Sequence, residues 1–163
     1  MDKKTERSNA DKVLRLFAKN IKELGFFRTK PTFFVRETDL VLEFIHLHKY
    51  SFGSCFRMHI CLRVLNEDLD FLALAGVTEQ DLLDKARFDY GDSIESVQAC
   101  AVSMSEFVLS FANPWFLKFE DQSLLLKNDS PLYDDQKVAL KAAMAGKSKE
   151  ENVQKSKSLL KIV

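Results

Sequence analysis

Glycine and proline are scarce in this chain, five and three among 163 residues, and cysteine and histidine number three each. Each scarcity excludes something. With so few glycines, and Gly91 isolated, there is no Gly-rich loop to cradle a phosphate, so a nucleotide-dependent enzyme is not expected. Three cysteines, an odd number, do not make a disulfide framework; a reducing, cytoplasmic setting is expected. No stretch approaches 18 apolar residues, and no apolar segment follows Met1-Asp2-Lys3-Lys4, so neither a membrane span nor a signal peptide is expected. A calcium loop is excluded too. Asn66-Glu67-Asp68-Leu69-Asp70 opens like one, but Phe71 stands where glycine is needed and Val77 where a bidentate glutamate is needed.

Net charge is also absent, but its cancellation is segmental. Residues 1–36 carry 10 basic and 4 acidic side chains, residues 64–135 carry 4 and 15, and residues 136–163 carry 7 and 2. Segregation of this kind either steers a charged partner or is neutralised when the segments fold together.

What is abundant is apolar: 46% of the residues, with 14 phenylalanines, enough for a sizeable core. Val13, Leu14, Phe17, Ile21 and Leu24 recur at helical spacing and predict a helix over 9–24. Gly25 supplies its left-handed stop, and Lys12, Arg15, Lys19 and Lys22 face away. Strands are predicted at 33–36, 40–48 and 55–64. Further helices are predicted from Thr78 (with Asp81 as a capping pair), from near Asp92 to a stop at Pro114, and from Ser130-Pro131. The chain divides into a flexible N-terminus at 1–8, a single α+β domain at 9–145 and a Lys-rich flexible tail at 146–163. The expected fold is an N-terminal helix, an antiparallel three- to four-stranded β-meander and C-terminal helices packed on it.

The hairpin formed by 40–48 and 55–64 carries all three histidines and two of the cysteines. A three-residue loop Ser51-Phe52-Gly53, with Gly53 left-handed, makes Tyr50 oppose Ser54 and Glu43 oppose Cys61. Glu43 then points outward with Arg57 and Arg63; a slip of one residue would bury it among phenylalanine and isoleucine. In this register His46 and His48 face away from His59 and Cys61, so no metal set is expected and no Cys-x-x-Cys completes one. No orienting third residue accompanies a cysteine and His59, so no catalytic residue and no cofactor is expected. The outer hairpin face, Glu43, Ile45 and Leu47 beside Arg57, His59 and Arg63, has the composition of a protein-interaction patch, unless the helix at 92–111 covers it.

Several of these features, taken in order, resemble a family of small bacterial domains of unknown function, family 4304. They are Leu24-Gly25-Phe26 followed by Arg28, Phe33-Phe34-Val35-Arg36, His48-Lys49-Tyr50-Ser51, Phe56, and Pro114-Trp115-Phe116 with Lys118 and Phe119. The resemblance spans roughly residues 10–120 and implies an α+β fold without an assigned activity. His48 stands where that family has glutamine. The function expected from the sequence is a non-catalytic protein-binding module, of the kind an immunity or accessory factor provides, with another protein as partner and no membrane. The alternatives are nucleic-acid binding by the basic N-terminal helix, and a hydrolase or metal enzyme built on His46, His48 and His59.

Overall fold

The computed structural model describes all 163 residues. Helix α1 spans Lys3–Ile21, starting earlier than the apolar spacing predicts. Asp2 caps it: Oδ1 accepts from the Lys4 and Thr5 N–H groups at 2.8 and 3.0 Å, satisfying donors that a helix start leaves unpaired. The expected flexible segment 1–8 is therefore mostly helix. Gly25, with φ 88°, closes the following turn as expected.

Strands β1 (Phe27–Lys30), β2 (Phe33–Glu37), β3 (Val41–Lys49) and β4 (Cys55–Val64) form an antiparallel meander. Two short strands, β5 (Gly76–Val77) and β6 (Arg87–Asp89), both pair with the outer edge of β4. Between them lies the four-residue helix α2 (Glu79–Leu82). Helix α3 (Ile94–Phe107) passes through one π-helical turn, Val108–Ala112, into α4 (Asn113–Leu117). Pro114 does not stop this helix: it lies in the first turn of α4, where its missing N–H goes unneeded next to the widened turn. Helices α5 (Asp134–Met144) and α6 (Glu150–Leu159) complete the chain. No helix is long and apolar enough to cross a membrane.

The β3–β4 register differs from the expected one by a single residue. Glu43 opposes Leu62, Phe44 opposes Cys61, His46 opposes His59 and Lys49 opposes Phe56. Gly53 does not adopt the left-handed conformation that a three-residue loop requires, and the connection takes one residue more. Because strand side chains alternate, the slip moves every hairpin residue relative to the opposite strand's faces.

Glu43 consequently points into the protein, 7% exposed. It is tolerated there because Arg36 lies directly opposite on β2, its Nε donating to Glu43 Oε2 at 2.5 Å. Arg36 Nη1 also donates to the Leu24 carbonyl and to Asn113 Oδ1, at 2.8 and 2.9 Å, and the guanidinium lies over the Phe26 ring. Burial raises the Glu43 pKa, and Arg36 opposes that rise.

One sheet face carries Phe34, Ile45, Leu47, Phe56, Met58, Ile60 and Leu62. They form the larger core with Val13, Phe17 and Ile21 of α1 and Val97, Ala101 and Met104 of α3. The other face carries Leu42, Phe44 and Cys61, covered by Leu160, Val153, Ile162, Leu72 and Leu74. The tail 146–163, expected to be flexible, thus docks as a helix. Its polar residues serve as anchors: Ser156 Oγ accepts from Arg63 Nε and donates to the Leu65 carbonyl, and Asn152 Nδ2 donates to the Asn66 carbonyl.

Removing Arg36 while Glu43 stays buried leaves an uncompensated charge, a loss of about 3–5 kcal/mol. Chemical denaturation of Arg36→Met is expected to show a loss of that size, with Arg36→Met/Glu43→Leu recovering most of it. Near-wild-type stability in the single variant would mean that the pair does not hold the register.

Candidate metal centre

The corrected register places His46, His48 and His59 on one face of the hairpin, beyond the end covered by α6. Opposite them stands Glu79, the first residue of α2. Its position follows from local chemistry. Thr78 N–H and Oγ both donate to Asp81 Oδ2 at 2.8 Å, which fixes the helix start, and Leu82 is buried in the core. Upstream, β5 approaches β4 so closely that a Cβ at Gly76 would lie 1.9 Å from the Ile60 carbonyl oxygen, so only glycine fits there.

Glu79 is the hub of the cluster. His48 Nδ1 and His59 Nε2 each lie 3.1 Å from Glu79 Oε2, and the Tyr50 hydroxyl donates to Oε1 at 2.5 Å. One ligand atom from each of His48, His59 and Glu79 lies within 4.8 Å of the others. Bonds of about 2.0–2.1 Å to a tetrahedral ion separate neighbouring ligand atoms by about 3.3 Å, close to both carboxylate distances. The remaining adjustment falls to His48, whose side chain is 45% exposed. Three protein ligands of this type leave a fourth position for water or another molecule. The Tyr50 hydroxyl holds the second carboxylate oxygen and orients it.

His46 adjoins the set without joining it. Its ring stacks on Phe33 at 4.3 Å and meets His59 edge-on at 5.4 Å. Burial, with the neighbouring charges of His59 and His48, lowers its pKa to about 4. Burial alone would raise the Glu79 pKa, but the hydrogen bonds from Tyr50, His59 and His48 prevail and bring it down to about 2.

The six residues expected to form a docking patch are divided between the two sheet faces. Glu43, Ile45 and Leu47 face α1 and α3; Arg57, His59 and Arg63 face the other way, and of the six only Arg57 is not buried. Arg63 Nη1 and Nη2 donate to the Phe71 and Leu69 carbonyls at 2.8 Å, and Arg63 also pairs with Glu67. Arg57 donates to the Leu83 carbonyl at 2.7 Å and pairs with Asp84. No continuous apolar-and-arginine surface forms, because the slip sends the apolar members inward. The basic residues Lys12, Arg15 and Lys19 of α1, and Lys22 just after it, do face solvent, with Arg15 paired to Asp11. All three cysteines are free and buried, and burial pushes the Cys61 and Cys100 thiols up to about 12, far from the thiolate form. The sequence alone does not mark Glu79, which lies 20 residues beyond His59 with no regular spacing between them. Its one available signal was its place immediately after the Thr78 cap.

The chain matches no family model, no curated protein and no solved structure. No comparison supports the resemblance to family 4304, which rests on the quoted motifs alone.

Both shifted groups make stability depend on pH in the metal-free protein. A histidine lowered from 6.5 to about 4 is harder to protonate when folded, so stability erodes as pH falls from 6.5 towards 4. A carboxyl lowered from 4.5 to about 2 contributes stability that is full above 4.5 and lost as pH falls towards 2. In EDTA, His46→Asn is expected to flatten the upper window and Glu79→Gln the lower, as measured by urea midpoints against pH. Unchanged slopes in both variants would contradict these assignments.

Proposed function

We propose that this protein binds a divalent transition metal through His48, His59 and Glu79. The single observation that carries the proposal is the convergence of two imidazole nitrogens on one carboxylate oxygen, each at 3.1 Å. Two imidazoles and a carboxylate suit Zn²⁺ and its borderline neighbours rather than Ca²⁺ or Mg²⁺, which prefer all-oxygen sets. A bound ion would supply Lewis acidity and a water made more acidic, the starting point of hydrolytic chemistry. Two surface clefts lie away from this site. One of about 420 Å³ is lined by residues 66–69, α5 and α6, and one of about 510 Å³ lies between β1 and the C-terminal residues. Metal binding is therefore the function proposed, and hydrolysis is a capability of the ion rather than an assigned activity.

A metal centre is supported over the protein-binding module because the patch that module needs is divided and largely buried, whereas the histidines share a face. Isothermal titration of the chelator-treated protein with Zn²⁺ is expected to give one equivalent. His59→Ala and Glu79→Gln should each lower affinity by about 10-fold or more, since either removes one of only three ligands. Less than about 0.1 equivalent bound by the wild type, or variants that bind as tightly, would overturn the proposal.

A further inference from the structure

Resting on that metal site, we infer that the ion is an exchangeable latch on the segment 78–86 rather than a permanent structural ion. Of the three ligands, two belong to the central hairpin and only Glu79 belongs to this segment. The segment leaves the edge of β4 after β5 and returns to it at β6, so it is an excursion tied to the sheet at both ends. A metal bond through Glu79 closes it from the middle.

The segment is strained where it turns. Leu83 has φ 50° and ψ −129°, a conformation that side chains other than glycine rarely adopt, and it is 69% exposed, so packing of its own side chain does not hold it there. What holds it is its N–H donating to the Glu79 carbonyl and its own carbonyl accepting from Arg57 Nη1 at 2.7 Å. The strained residue is thus hydrogen-bonded to the backbone of the ligand residue, so an ion held by the Glu79 carboxylate steadies the turn from its first residue.

The donor set also favours release. His59 presents Nε2 to the site, so coordination places its remaining proton on Nδ1, which is buried with no acceptor. Ligating histidines normally donate that proton to an oxygen, and lacking such a partner weakens metal affinity by about 10- to 100-fold. His48 is the ligand open to solvent, a route by which a competing ligand reaches the ion. When the ion leaves, hydrogen bonds from Tyr50, His48 and His59 still hold the Glu79 carboxylate, so the segment loosens without losing its place.

Hydrogen exchange of the full chain, read by mass spectrometry in EDTA and then in Zn²⁺ at 100 times the dissociation constant measured on the same sample, tests this. If opening of the segment breaks the site, the ion slows exchange of the 79–86 amides by about 100-fold. Amides of α1 should be unaffected, and Glu79→Gln should lose the protection. Zinc that binds without protecting 79–86 overturns the latch and leaves the metal site standing; zinc that does not bind overturns both. Bound zinc that resists excess EDTA for hours also overturns the latch, because the ion would then not be exchangeable.

Discussion

The contact between Arg36 and Glu43 decides the rest of the structure. A carboxylate in the middle of a central strand ordinarily turns outward, because burying it unpaired costs several kcal/mol. Here Arg36, directly opposite on β2, neutralises it, and the Leu24 carbonyl and Asn113 take the remaining guanidinium donors. With Glu43 accommodated inside, Ile45 and Leu47 are free to join the core with Met58 and Ile60, and the alternate residues of both strands are committed to the other face. The three histidines meet because a glutamate three residues away from the first of them has a partner.

That second face is divided into an apolar half and a polar half. At one end Leu42, Phe44 and Cys61 lie under α6; at the other His46, His59 and His48 lie under Glu79. Each cover is pinned by polar contacts chosen to match. Arg63 secures the α6 end through Ser156, and a carboxylate with three donors secures the α2 end. The same carboxylate accepts hydrogen bonds from imidazole N–H groups in the metal-free protein and, in the proposed function, would share an ion with those same ring nitrogens. The hydrogen bonds and the proposed ion compete for the same two ring nitrogens and one carboxylate oxygen.

The three long strands and the leading helix were legible in the sequence because their apolar periodicity is strong, as was the left-handed Gly25. The register was not legible, and the reason is specific. Gly53 invited a tight loop it does not make, and Glu43 was assigned to solvent because Arg36, on a neighbouring strand, is not visible as its partner from local spacing. Strands β1, β5 and β6 are too short for alternation to show. The C-terminal helix was obscured by its lysines and serines, although Ser156 and Asn152 are buried contacts. The sequence marks the histidines as ligand types, but the register expected from Gly53 separates them; Glu79 comes from a different element and joins them only in the folded chain.

The register itself is open to direct measurement by interstrand backbone nuclear Overhauser contacts in the labelled protein. Contacts are expected between His46 and His59 and between Phe44 and Cys61. Contacts that place Glu43 opposite Cys61 and His46 opposite Met58 would contradict it, separate the histidines onto two faces and remove the metal centre with them.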